Sequence, residues 1–306
     1  MNEIKIFCPA TIANLNCGFD ILGACLDGIG DEMIIKKVPQ KGVKITQITG
    51  ADLPFEPEKN VAGVAALALL KTLNIHFGFE IEIHKKIKAG SGIGSSSASA
   101  AGAVYGINEL LNNCFTKLQL VDFAMKGEAL ASGSEHADNV APCIFGGFTL
   151  IRGYNPLDIV KIESPAVLYA VVLHPNIELK TADARAVLQP LIALKNLITQ
   201  TGNLGGLIAG LYTKDYNLIG RSLQDAIIEP MRKHLIPDFD QTKNIALQNG
   251  ALGAGISGAG PSIFALCNGR KTANKVAIAI SDNYKLTKIS FDIHVSKINP
   301  DGIRKI

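Results

Sequence analysis

The chain has 306 residues, of which 47% are apolar and 19% charged, with 30 basic and 27 acidic side chains giving a net charge of +3. That is enough apolar material for one large or two medium domains, and too little charge for disorder. Lys and Arg are scattered rather than clustered, which argues against a nucleic-acid surface, and the longest apolar run, residues 61–70, is about half of what a bilayer crossing needs.

The opening residues Met1-Asn2-Glu3-Ile4-Lys5 carry an acid early and lead into no extended apolar run, so neither a leader nor a membrane anchor is expected. Short β-rich runs predict strands over residues 4–8, 33–38, 43–49, 79–83, 148–151 and 167–173. Helical patterns lie between them. Residues 60–73 are Ala/Leu-rich with Asn60 as N-cap, 95–111 place Ala100, Val104, Ile107 and Leu111 on one stripe, and 118–131 continue in the same manner. Beyond about residue 155 the pattern predicts helices at 181–188, 191–200, 218–226 and 239–249, then strands at 262–267 and 286–295. Strands and helices in this mixed order predict an α+β fold rather than a doubly wound sheet. With no internal repeat, the chain reads as two packed halves, 1–155 and 156–306.

The six cysteines (Cys8, Cys17, Cys25, Cys114, Cys143, Cys267) include no C-x-x-C pair, and four have apolar neighbours. They read as reduced thiols in a cytoplasmic setting rather than a disulfide frame or zinc site.

The segment Gly90-Ser-Gly-Ile-Gly-Ser-Ser-Ser-Ala98 follows a predicted strand and a basic stretch and opens a long helix. Its glycines let the backbone turn tightly against a ligand, and its serines add hydroxyls where a helix start leaves N–H groups unpaired. A simple capping turn is the plainer reading; the three serines, the strand before and the helix behind favour a phosphate cradle. Ser96 is placed to touch a Mg²⁺ ion. No G-K-[ST] follows, so this is not a Walker A loop.

Gly253-Ala-Gly-Ile-Ser-Gly258 matches a dinucleotide fingerprint in letters but follows a predicted helix and leads through Pro261 into a strand, the reverse of what that fingerprint needs. It reads as a loop that lets backbone approach another element or a ligand. Asn14 and Asp20 are polar residues in an apolar neighbourhood after the first strand, and are either buried hydrogen bonders or ligand contacts. Glu128, His136, Asp138 and Asn139 gather around a Ser-Gly break, with Glu128 at a helix end where the dipole disfavours an acid unless a cation is held there. Arg185 and Arg232 each sit beside a helix start or turn and offer forks for a carboxylate or phosphate, with surface salt bridging as the ordinary alternative.

In order along the chain, P-A-T-I-A-N-L-N-C-G-F-D, G-S-G-I-G-S-S-S-A, H-A-D-N-V-A-P, E-P-M-R and G-I-S-G-A-G-P-S resemble the GHMP kinase superfamily, and within it the branch that phosphorylates homoserine. The resemblance implies a two-domain α+β fold, with an N-terminal half like domain 2 of ribosomal protein S5 and a ferredoxin-like C-terminal half. It implies transfer of a phosphoryl group from ATP to the hydroxyl of L-homoserine, with Mg²⁺, as a step of threonine synthesis. It also implies that Lys88, Ala89, Gly90, Ser91, Gly92, Ile93, Gly94, Ser95, Ser96, Ser97 and Ala98 wrap the ATP phosphates, that Asn60 and Val61 lie near the adenine, and that Ser96 and Glu128 serve the metal. Asn14, Asp20, His136, Asn139, Arg185 and Arg232 would surround the amino acid.

His136, Asp138 and Asn139 form the expected catalytic group; Asp138 is the nearby candidate for a base, and orientation alone is the alternative. Small-molecule substrates and a homodimer are the expected partners, with no nucleic acid and no membrane. The other readings are a relative acting on mevalonate, shikimate or a sugar, and a binder that kept the fold without catalysis. Departures from the family pattern fall at Ile12, Asn16, Cys17, Lys88 and Ile93.

Overall fold

The computed structural model describes the backbone of residues 1–306 and all side chains but that of Ser132. The chain opens with β1 (Glu3–Ala13), antiparallel to the long β2 (Leu22–Val38). Ile4, Ile6 and Cys8 point inward between exposed Glu3 and Lys5, but from Pro9 to Ala13 every residue is buried. The period-two signal stops where both faces become covered, so the expected strand over 4–8 was too short. The first half of β2 was missed because Gly23, Gly28 and Gly30 interrupt it like a turn.

Next comes a parallel unit, β3 (Gly42–Thr49), α1 (Val61–Leu70) and β4 (Gly78–His84), in which the helix makes the crossover that parallel pairing requires. Asn60 caps α1 as expected: its Oδ1 accepts from the Ala62 N–H at 3.0 Å. Then follow α2 (Ser95–Leu110), α3 (Lys117–Ser132) and α4 (Val140–Phe145), and the hairpin β5 (Phe148–Tyr154) and β6 (Leu157–Ile162). Helix α2 packs on β1 and β2, with α1, α3 and α4 against it. Near the C-terminus β11 (Arg304–Lys305) returns to pair with β1. The sheet order is β11-β1-β2-β4-β3, with β5 and β6 branching from β2.

The second sheet is antiparallel and joins β7 (Leu168–Pro175), β8 (Ala251–Ile256), β9 (Ile263–Asn268) and β10 (Phe291–Lys297) in the order β10-β7-β9-β8. Two helices cover it, α9 (Phe239–Gln248) and α10 (Arg270–Tyr284), burying Ala246, Val276, Ile280 and Tyr284 among others. Helix α10 was not expected, although Ala273, Val276, Ala277, Ile280 and Tyr284 repeat at helical spacing. Strand β10 begins later than the expected residue 286, because a 3-10 turn occupies Lys285–Thr287. Strand β8 was read as loop, since glycine is rare in strands. Here glycine is needed: a Cβ on Gly253 would meet Leu223, and one on Gly255 would meet Asn16.

Between β7 and α9 run α5 (Thr181–Ala186), α6 (Leu194–Thr213), α7 (Tyr216–Ser222) and α8 (Ile228–Arg232). Helix α7 stops short of the expected residue 226, because the Asp225 carboxylate turns the chain by accepting from the N–H groups of Ile227, Ile228 and Glu229 at 2.8–3.0 Å. The result is a two-domain α+β fold. The expected division at 155–156 falls in the turn of the β5–β6 hairpin; we propose a division after Ile162, with β11 crossing back. Buried Leu207, Leu211, Phe264 and Leu266 from the second half share one core with the first. Among the described residues, no helix is long and apolar enough to cross a membrane. All six cysteines are free thiols, and Cys114 is the exposed one.

Candidate active site

A cleft of about 890 Å³ runs between the halves, with the glycine loop at one end and a cluster of charged side chains at the other. Gly90, Gly92 and Gly94 have φ of 69°, 77° and 75°, the left-handed region that favours glycine. A Cβ on Gly94 would strike the Thr11 hydroxyl. The loop ends at the start of α2, whose first-turn N–H groups have no helical partner.

The turn between β8 and β9 braces the loop from the other half. Ser257 Oγ donates to the Gly92 carbonyl at 2.7 Å, and Ser262 Oγ donates to that of Ser91 at 2.5 Å. The dinucleotide look-alike is therefore part strand and part brace for the phosphate loop, the close approach to another element expected of it. Underneath lies a pair the sequence did not single out. The buried Lys85 ammonium donates to the Asp31 carboxylate, to the Ser95 carbonyl at 2.8 Å and to Ser99 Oγ at 3.0 Å. Asp31 also accepts from the N–H groups of Lys86 and Ile87. The basic run His84 to Lys88 was the available signal.

Ser96 and Ser97 donate their hydroxyls to the two oxygens of Glu128 at 2.9 and 2.7 Å. Burial pushes the Glu128 carboxyl above its ordinary pKa, and the two hydroxyls offset part of that. Lys88, Ala89, Gly90, Ser91, Gly92, Gly94, Ser95, Ser96 and Ser97 line the cleft. Ile93 and Ala98 do not, for their side chains are in the core. Val61 lines it too, whereas Asn60 is spent on its cap and on the Pro54 carbonyl at 2.8 Å. Lys88 reaches across the cleft mouth to Asn176 and Asp292, both at 2.7 Å.

At the other end β1 gives way to three residues in left-handed conformation, Asn14, Leu15 and Asn16, with Asp20 a fourth (φ 60°). Asn14 stabilises this turn: its Oδ1 accepts from the Asp20 N–H at 3.0 Å and its Nδ2 donates to the Gly258 carbonyl at 2.8 Å. Asn16, a family departure, donates to the carbonyls of Leu223 and Ala254 at 2.7 and 3.1 Å and so ties the turn to the second half. Ile12, another departure, is fully buried, and the neighbouring Thr11 donates its hydroxyl to Asn139 Oδ1 at 2.7 Å.

Asp20 and Arg185 were both expected around the amino acid; here they hold each other. Arg185 Nη2 donates to both Asp20 oxygens at 2.9 and 3.1 Å, and to His136 Nε2 at 2.9 Å. Ser134 lies 2.6 Å from the same nitrogen. Burial, then the Arg185 charge, lowers the His136 pKa against the pull of Asp20, so the ring is a neutral acceptor. Tyr154, also missed from sequence, links the segments by donating to the Asp20 carbonyl at 2.9 Å and accepting from the Ala137 N–H.

Arg232 is 2% exposed. Among the described residues its guanidinium bonds two carbonyls, Ala184 at 2.8 Å and Gly258 at 3.2 Å, and no carboxylate. Burial and then the nearby Arg185 lower its pKa to about 10, so it stays charged at neutral pH. Asp138 is buried as well; desolvation, then Asp20 and Glu128, raise its pKa to about 7. The structure thus brings Asn14, Asp20, His136, Asp138, Asn139, Arg185 and Arg232 to one end of the cleft, from segments far apart in sequence.

Comparison with known proteins identifies the family. The pattern of the GHMP kinases N terminal domain matches residues 60–147, and that of GHMP kinases C terminal matches 207–286. A homoserine kinase of Chlorobium phaeobacteroides (strain BS1) is 43% identical over the whole length of both chains. The crystal structure of homoserine kinase from Cytophaga hutchinsonii ATCC 33406 superposes with a TM-score of 0.96 at 50% identity, covering 100% of this chain and 98% of that one. L. major mevalonate kinase, at 17% identity and a TM-score of 0.74 over 96% of each chain, shares the fold. The chain belongs to the GHMP kinase family, among its homoserine kinases.

Proposed function

We propose that the chain transfers the γ-phosphoryl group of ATP to the hydroxyl of L-homoserine, giving O-phospho-L-homoserine and ADP. The observation that carries the substrate half is Arg232, a buried cation that bonds two carbonyls and no carboxylate, with Asp20, Asp225 and Asp138 acting on it only through space. A buried charge with no directly bonded counterion is costly, and a ligand carboxylate relieves that cost. Asp20 supplies the complementary acid for the ligand ammonium, sharing it with Arg185. Mevalonate, shikimate and galactose have no amine to meet Asp20.

The donor set at the phosphate end fits Mg²⁺: Ser96 and Glu128 offer hard oxygen atoms, and a magnesium ion is usually held by one or two protein oxygens together with phosphates. When bound there, it neutralises charge on the phosphate oxygens. The loop N–H groups and the α2 N-terminus orient the phosphate chain, and the charged end holds the substrate so that its hydroxyl faces the γ-phosphate. A loose, metaphosphate-like transition state asks chiefly for alignment and charge neutralisation. Asp138, half-ionised near pH 7, serves as a hydrogen-bond partner of the substrate, and alignment carries the rate. A second copy of the chain would cover the exposed apolar residues Leu191, just before α6, and Leu194 and Ile198 in its first turns. Light scattering at micromolar concentration should then give a dimer mass.

An ADP-release assay with L-homoserine, mevalonate, shikimate and galactose tests the function. ADP release with L-homoserine well above the other three is expected. A preference for any of the others overturns the substrate, and no ADP with any overturns the activity.

A further inference from the structure

Phe19 directly precedes Asp20 in the first motif, and nothing above uses it. Its ring lines the cleft. The Arg185 guanidinium carbon lies 5.5 Å from the ring centroid, and that of Arg232 lies 5.0 Å away. Both distances are within the range at which a cation is attracted to the face of an aromatic ring. The two arginines are otherwise unequal: Arg185 has Asp20, while Arg232 has carbonyls. Holding two like charges in one partly buried place is unfavourable, and the negative face of a shared ring offsets part of that repulsion.

The backbone under Phe19 is firmly set. Gly18 N–H donates to the Asn14 carbonyl at 2.9 Å, Asp20 N–H to the Asn14 side chain at 3.0 Å, and Ile21 N–H to the Gly18 carbonyl at 3.0 Å. Arg232 in turn holds the carbonyl of Ala184, the residue before Arg185. Ring, guanidinium and helix α5 therefore form a closed set of contacts in which the ring touches both cations.

We propose that Phe19 is a positioning residue whose ring sets the spacing of Arg185 and Arg232 and thereby tunes the site for a ligand carboxylate. The proposal rests on the homoserine reading of that site. It separates ring electrostatics from mere bulk, because leucine fills similar space without an aromatic face.

The test compares wild type, Phe19→Leu and Phe19→Tyr with two substrates, L-homoserine and 3-aminopropan-1-ol, which keeps the ammonium and the hydroxyl but lacks the carboxylate. For Phe19→Leu the expected result is a rise of ~10-fold in KM for L-homoserine, the loss of ring attraction for two cations. The KM for ATP and the melting temperature should hold, as should kcat/KM for 3-aminopropan-1-ol. Phe19→Tyr should behave as wild type. Equal losses with both substrates, or a Phe19→Leu enzyme with unchanged KM for L-homoserine, would overturn the proposal while leaving the homoserine reading intact. Failure of the wild type to phosphorylate L-homoserine would overturn that reading and this proposal with it.

Discussion

The two ends of the cleft solve the same problem, holding a charged ligand, by opposite means. The phosphate end is built from backbone and hydroxyls on one contiguous loop, braced by Ser257 and Ser262 and underpinned by the neutralised Lys85–Asp31 pair. The other end is built from a few charged side chains on separate elements, and one of them, Arg232, bonds carbonyls rather than an acid. Many weak, fixed dipoles tolerate the loss of any one of them. A buried charge does not tolerate the loss of its partner, nor does the ligand tolerate the loss of the charge.

This contrast can be broken or sharpened by substitution. The largest effect is expected from Arg232→Met, which should lower kcat/KM for L-homoserine by ~10²–10³-fold, as truncation of one member of a buried charge pair does. Its KM for ATP should scarcely change. Glu128→Gln comes next: it keeps the shape but removes the charge that Ser96 and Ser97 hold in place, and steady-state assays should show kcat lower by up to ~100-fold with more Mg²⁺ needed for half-saturation.

Asp138→Asn should cost about 10-fold or less in kcat if alignment carries the reaction; a loss of ~10² or more would instead identify a general base. The same variant has a pH signature. The Asp138 pKa in the folded chain is about 7, above the ordinary carboxyl value of about 4. Between those values the folded chain keeps a proton that the unfolded chain has released, so this group lowers stability as pH rises from about 4 to 7, with no further change above. The drop in melting temperature from pH 5 to pH 8 should be smaller in Asp138→Asn than in wild type. The smallest effect is expected from Asn16→Gly, which removes two buried hydrogen bonds to the second half. Thermal melts should show a loss of ~1–2 kcal/mol, a few degrees, with kcat for L-homoserine nearly unchanged.

The same contrast explains what was legible in the sequence. The phosphate loop stood out because its glycines and serines are adjacent and their spacing alone suggests the chemistry. The charged end was assembled from residues 14–20, 136–139, 185 and 232 only through an ordered set of motifs, since no local pattern brings an arginine on α5 next to an aspartate after β1. Phe19, Thr11 and Tyr154 act through contacts more than 100 residues away in sequence and carried no local signal. The pairing of Asp20 with Arg185 was hidden for the same reason: residue types give complementarity, and only the fold decides whether two charges wait for a ligand or meet each other. In the fold, the missed strand β8 and the first half of β2 are glycine-rich, where close packing overrides strand propensity. Helix α10 did carry an apolar stripe and was readable.

The most direct test of the contrast is a crossed calorimetric titration, with Mg²⁺ and a non-hydrolysable ATP analogue on Arg232→Met and L-homoserine on Glu128→Gln. Independently built ends predict that each variant keeps the affinity of the untouched end to within about 2-fold of wild type, as distant sites do. Loss of affinity for the untouched end's ligand in either variant, by about 10-fold or more, would contradict the account.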